Sequence, residues 1–331
     1  MTGLSEVPVA EGVTVSRRVR RVLPLALPLV FCLALTACGD DDSGDGSDSG
    51  SGSLSSVKVE GEVGTDPEVT WGGDFEVDKV TSEVITEGDG EEIKSGDTVM
   101  ADYWLGNAYS QEQVFSTHPT AAQLLVVEDG TLSPVFLEAA QGHTIGSRVA
   151  VAASAEEIFG PEGNPELNVG NQDTVVAVVD LNSLVADGPE GAEKPAPAWA
   201  PKIVEKDGVP TSFDFTGTPK PAPQTQSATL IEGTGATVEK GQSIAVNYLG
   251  QVYQGKKPFD ESYSKGQPAA FSIGTGGVVP GWDKTLVGVK VGSRLVISIP
   301  PADGYGEQGN PQAGIKGTDT LFFVVDVLAA G

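Results

Sequence analysis

VNYLG at 246–250, PFDES at 258–262, VVPGWDKTLVG at 278–288, DGYGEQGNP at 303–311 and TLFFVVDVL at 320–328 follow one another through the C-terminal part of the chain. Aromatic residues recur in this stretch at separated positions: Tyr248, Phe259, Trp282, Tyr305 and Phe323. A carboxylate, Asp260, stands directly beside one of them. Residues 243–249 alternate, with Ile244, Val246 and Tyr248 on one face, which reads as a half-buried strand. The runs Arg294–Ile299 and Thr320–Leu328 are rich in β-branched and aromatic residues and read as further strands. One helix is predicted, from about Gly281 to Val287: Pro280 precedes it, Gly288 ends it, and Trp282 and Leu286 share a face.

Working outward, the same pattern occurs earlier in altered form. SEVITEGDGEEIKSGDTVMADY (82–103) parallels SATLIEGTGATVEKGQSIAVNY (227–248), with Tyr103 and Tyr248 lying 145 positions apart. IGSRVAV (145–151) parallels VGSRLVI (291–297), and DTVVAVVDL (173–181) parallels DTLFFVVDV (319–327), each 146 on. Lead-in strands correspond too, PEVTW at 67–71 and PTSFDF at 210–215. An offset held over this length means two copies of one domain, with a period far too long for a solenoid. The first copy spans 57–185 and the second 201–331; residues 186–200 form a Pro-rich, semi-rigid connector.

The remaining chain narrows the function classes. Its net charge of −26 argues against a nucleic-acid partner. Its two cysteines, Cys32 and Cys38, both precede the folded copies, so no disulfide framework holds those together. His118 and His143 do not cluster at metal-ligand spacing, and no cofactor motif is present. Residues 1–37 read as an export signal: Arg17, Arg18, Arg20 and Arg21 precede an apolar run from Val22 to Ala37, interrupted by Pro24 and Pro28. LTAC at 35–38, followed by Gly39, resembles the bacterial lipobox, which implies lipidation at Cys38 and an extracytoplasmic protein anchored to the cell membrane. Residues 38–56, rich in Gly, Ser and Asp, read as a flexible tether.

The ordered series FD, VVPGW, GYG and TLFF resembles the FKBP-type peptidyl-prolyl isomerases. The resemblance is close over roughly the last hundred residues and looser over the first copy. It implies an α+β fold of two tandem domains, each an antiparallel sheet wrapped around a short helix. It also implies a site without metal or cofactor. A prolyl amide rotates over a barrier of about 20 kcal/mol because resonance must break. An apolar cavity favours the twisted amide over the planar one, which loses more hydration on entry.

Position by position, the resemblance makes Trp282 the floor under the proline ring and Tyr248, Phe259 and Phe323 the walls. Val278 and Val279 precede the helix, and the Val279 N–H donates to a substrate carbonyl. Tyr305 donates from its phenol, Asp260 meets the twisted amide, and Ile315 lies in a loop overhanging the pocket. The basic residue after the FD pair is Lys265. Ala269 stands where an aromatic wall is common, Gly277 replaces an acidic residue and Asn310 a histidine, which widens the rim. The implied partners are proline-containing exported polypeptides and macrolide inhibitors of the FKBP type.

In the first copy Tyr103 remains. In order along the chain, Phe115 matches Phe259, Ser116 matches Asp260, Phe136 matches Trp282, Phe159 matches Tyr305 and Ala177 matches Phe323. The expectation is a like fold with little or no catalysis. A non-catalytic chaperone or peptide-binding lipoprotein is the alternative reading of the whole chain.

Overall fold

Two long strands are apolar at consecutive positions, and the structure shows why: each is covered on both faces. The computed structural model describes residues 54–331 apart from Asp74 and residues 119–121. The predicted export signal, Cys38 and most of the tether lie outside the described residues. The first part comprises β1 (Val57–Glu60), β2 (Glu68–Trp71), β3 (Thr81–Thr86), β4 (Thr98–Asn107), β5 (Glu112–Ser116), β6 (Gln123–Val126), α1 (Pro134–Ala140), β7 (Arg148–Ser154), α2 (Glu156–Phe159) and β8 (Thr174–Leu184). After β9 (Gly191–Glu193) come β10 (Lys202–Lys206), β11 (Val209–Asp214), β12 (Gln226–Gly233), β13 (Ser243–Val252), β14 (Asp260–Glu261), β15 (Ala269–Ser272), α3 (Pro280–Leu286), β16 (Arg294–Ile299) and β17 (Leu321–Ala330).

The first sheet has the order β3-β7-β8-β4-β5, with β6 also on β4; the second runs β14-β13-β17-β16-β12-β9, with β15 also on β13. All pairings within them are antiparallel. The pairs β1-β2 and β10-β11 form separate ribbons. The fold is α+β, with each sheet packed around one short helix.

Alternation along the central strands sorts side chains into two layers. In β8, Val175, Ala177, Val179 and Leu181 join Val135 and Ala139 of α1 in one core, while Val176 and Val178 meet Val57 of the ribbon in another. In β17, Leu321, Phe323, Val325 and Val327 pack with Trp282 and Leu286 of α3, while Phe322 and Val324 pack with Phe213 of the second ribbon. The lead-in strands are thus lids on the outer face of each sheet. An arginine–aspartate pair pins each lid. Arg148 reaches Asp180 at 2.6 Å and also donates to the carbonyls of Gly61, Glu62 and Thr65. Arg294 reaches Asp326 at 2.6 Å and Glu205 of β10 at 2.8 Å.

Helix α3 begins one residue earlier than the sequence suggests, because Pro280 occupies its first turn, where a missing N–H costs nothing. It lies so close to β16 that a Cβ on Gly281 would come within 2.6 Å of the Ile299 side chain. The connector 186–200 differs more from expectation. Its residues 191–193 are a strand on the edge of the second sheet, paired with Ile231, Glu232 and Gly233. The copies also touch directly: the Ala122 N–H donates to Ser243 Oγ at 2.9 Å beside a packed group of Met100, Ala122, Ala245 and Ala329.

Candidate active site

Strand β13 delivers Tyr248, β17 delivers Phe323 and α3 delivers Trp282 to one place on the inner face of the second sheet. Gly250 makes the meeting possible. A Cβ there would lie 2.6 Å from both Phe259 and Phe323. The rings meet edge to face: Trp282 with Tyr248 at 5.5 Å, with Phe271 at 5.2 Å and with Phe323 at 5.4 Å. Phe259 meets Phe323 at 5.7 Å. Together they enclose a cavity of about 420 Å³, lined by Tyr248, Phe259, Asp260, Phe271, Gly277, Val278, Val279, Pro280, Trp282, Gly304, Tyr305 and Phe323. That volume lies in the range of about 300–1,000 Å³ usual for small-ligand pockets. Trp282 is only 3% exposed, yet it forms part of the lining, as a floor does.

Eight of the nine residues singled out from the sequence meet at this cavity. Ile315 does not. Its loop turns inward at the Asn310–Ile315 bridge, and the side chain is 3% exposed within the core. Phe271 is the residue the sequence reading missed. Ala269 opens a gap where an aromatic was expected, but Phe271, two residues on along β15 and so on the same face, lies against both Tyr248 and Trp282.

Polar groups are few and aimed. The Tyr248 hydroxyl donates to Asp260 Oδ2, while Asp260 Oδ1 accepts the Glu261 N–H at 2.9 Å and faces Lys265 Nζ at 3.3 Å. Burial, aided by the hydrogen bond to Asp260 and then by its charge, pushes the Tyr248 phenol far above its ordinary range, so it remains a donor. Among the described residues the Tyr305 hydroxyl and the Val279 N–H have no hydrogen-bond partner. The rim is held from behind. Asp283 accepts the N–H groups of Gly274 and Gly276 at 2.7 and 2.9 Å, fixing the turn before Val278. Asp303, two residues before Tyr305, accepts from Lys284 of α3 and from Thr225, each at 2.6 Å, which holds its carboxyl below the usual range. A larger hollow of about 890 Å³, lined by Asp66, Asp102, His118 and Gln242 among others, has no aromatic wall.

The corresponding place in the first sheet is built from other residues. By strand register, Leu105 takes the position of Gly250 and Ala177 that of Phe323, so large and small residues have changed places. Register also corrects the alignment of β5. Trp104 pairs with Ser116 as Leu249 pairs with Glu261, and a bulge follows Leu105. Phe115, not Ser116, therefore stands where Asp260 stands, and Val114 stands for Phe259. Instead of a carboxylate under a phenol, a phenyl ring lies 5.6 Å from Tyr103, with Phe136 at 4.8 Å on another side.

Residues 235–328 match the model of the family FKBP-type peptidyl-prolyl cis-trans isomerase. The chain is 36% identical over 116 residues to an FK506-binding protein of Streptomyces anulatus, covering 35% of this chain and 93% of that protein. It is 42% identical over 90 residues to peptidyl-prolyl cis-trans isomerase FKBP15-1 of Arabidopsis thaliana, covering 27% of this chain and 58% of that protein. The crystal structure of AtFKBP13 aligns at 30% identity with a TM-score of 0.30, over 32% of this chain and 93% of that one. With nearly the whole length of the Streptomyces relative matched, the chain belongs to the FKBP-type peptidyl-prolyl cis-trans isomerases.

Proposed function

We propose that catalysis resides in the second copy, at the Trp282-floored cavity, and that the chain serves the folding of exported proteins from a lipid anchor at Cys38. The observation that carries the site is the enclosure of about 420 Å³ that combines four aromatic walls with two unengaged donors at its mouth. A proline ring would rest on Trp282. The Val279 N–H would take a substrate carbonyl, and Tyr305 would donate to one beside the ring. Twisting the amide reduces its charge separation, so an apolar wall disfavours the planar form more than the twisted one. Asp260, fixed by the Tyr248 hydroxyl, faces the rotating carbonyl and orients the donors around it. A macrolide of the FKBP-inhibitor type would occupy the same cavity, against a rim widened at Ala269 and Gly277. The anchor and the exported clients rest on the N-terminal sequence: a basic and apolar segment ending in LTAC, then a tether. The first copy, with Phe115 in place of a carboxylate, is a second FKBP-like domain that does not turn over prolyl bonds.

A protease-coupled isomerisation assay on the mature chain tests the site. Asp260→Val should lower kcat/KM severalfold with the fold intact, and an unchanged rate would refute the assignment. The alternative, a holding chaperone, draws support from the Tyr103–Phe115–Phe136 cluster, where Phe115 is 40% exposed. It predicts suppression of client aggregation that survives Asp260→Val.

A further inference from the structure

The two sheets carry the same edge strand, β3 in one and β12 in the other, and only β12 is covered. Strand β9 lies along it: Lys194 N–H donates to the Leu230 carbonyl at 2.8 Å and Glu190 N–H to the Gly292 carbonyl at 2.9 Å. The Lys194 ammonium closes on Glu232 at 2.7 Å. Glycine is required in the added strand, because a Cβ on Gly191 would lie 1.9 Å from the Glu232 carbonyl oxygen. The equivalent edge in the first sheet, Ile85, Thr86, Glu87 and Gly88, has the same shape. A Cβ on Gly88 would come 2.2 Å from the Ile145 oxygen, as one on Gly233 would from the Val291 oxygen. What differs is the neighbour. A Cβ on Gly292 meets the Glu190 oxygen at 2.8 Å, whereas a Cβ on Gly146 finds nothing nearer than Gly88 Cα at 3.4 Å. Among the described residues no strand pairs with the outer edge of β3 and no cation faces Glu87, which is exposed.

We propose that the outer edge of β3 docks an extended polypeptide segment from another protein, one carrying a glycine and, three residues further on, a basic side chain. The added strand pairs antiparallel with Thr86–Gly88, its glycine opposite Gly88 and its cation on Glu87, as β9 does on β12. The chain's own residues 39–53 offer glycine but no lysine or arginine, so they lack half of this signature. Three residue pairs and one exposed ion pair make a weak, exchangeable contact, suited to a segment that must be released. The site is separate from the prolyl cavity and stands whether or not that cavity is catalytic.

The test is NMR of the whole mature chain titrated with a synthetic peptide copying residues 188–196. The Glu87 and Gly88 amide signals should shift saturably, and exchange of the Glu87 amide should slow about twofold at a peptide concentration equal to Kd, while the Gly88 N–H is already held by Ser147 Oγ at 2.9 Å. A peptide with Lys194→Glu should lose binding to the natural chain and regain it with a Glu87→Lys chain; a peptide with Gly191→Val should bind neither. Isomerase activity of the Glu87→Lys chain should be unchanged. Unmoved 86–88 signals overturn the proposal, as does indifference to the charge exchange. Strong exchange protection of Glu87 before any peptide is added also overturns it, since the chain itself would then hold that edge.

Discussion

The two sheets share a scaffold and differ at one spot on their inner faces. Both keep the central strands, the short helix and the arginine–aspartate pair that pins the ribbon. At the spot itself, Gly250 pairs with Phe323 beside the hollow in the second, while Leu105 pairs with Ala177, both buried in the core, in the first. The total side-chain bulk is similar, and volume-conserving exchanges are the changes a core tolerates best. A fold of this kind can therefore gain or lose its cavity while its framework stays intact.

The contrast can be broken or sharpened by experiment. The largest effect is expected at the scaffold. Arg148 is fully buried with its donors distributed over Asp180 and four carbonyls of the ribbon and its turn, so Arg148→Met should cost about 3–5 kcal/mol in denaturant unfolding. Arg294 is partly exposed at its Glu205 end, and Arg294→Met should cost less. Equal losses would mean that the two lids are pinned alike. Next is the floor. Trp282→Ala should lower kcat/KM of the whole chain at least about tenfold, or about 1.4 kcal/mol, whereas Phe136→Ala should leave it unchanged. A loss from the Phe136 variant would place turnover in both sheets.

Smaller still is the tie behind Tyr305. Asp303→Asn should lower kcat/KM by roughly 0.5–1 kcal/mol equivalent and add little in a Tyr305→Phe background; full additivity would dissociate the two. The last effect concerns alkaline pH. The folded state raises the Tyr248 phenol above its ordinary 10.0, through burial first, the hydrogen bond to Asp260 second and the Asp260 charge third. That stabilisation is fully present below about pH 10 and is lost as pH rises through the folded-state value. Tyr103 is raised by burial alone. Phenolate absorbance should therefore show a late-titrating group that Tyr248→Phe removes and Tyr103→Phe alters less.

Much of this was legible in the sequence, because the repeat fixes which residues recur and strand periodicity fixes which face they take. The α3 boundary fell within one residue, since proline and glycine punctuate it. What escaped reading has physical reasons. Strand β9 is three residues of backbone pairing between prolines, with no apolar pattern to betray it. Phe115 stands in the place of Asp260 because the 145-residue offset from Tyr103 to Tyr248 runs on unchanged through this pair, whereas pairing phenylalanine with phenylalanine slips the match by one residue. Phe271 stands two residues beyond Ala269, the position the resemblance marks as an aromatic wall, and period-two geometry places both on one face. Ile315 turned inward because its loop is closed by backbone bonds between Asn310 and Ile315.

The indole nitrogen of Trp282 is buried without a hydrogen-bond partner. Ordinarily exchanging tryptophan for phenylalanine beneath a protein surface orphans whatever received the indole proton. Among the described residues nothing receives it, so the exchange carries a loss of contact area and no stranded acceptor. The third position of the helix is phenylalanine in one half of the molecule and tryptophan in the other. A lineage could cross between the two by ordinary substitution, in either direction, without passing through an unfolded ancestor.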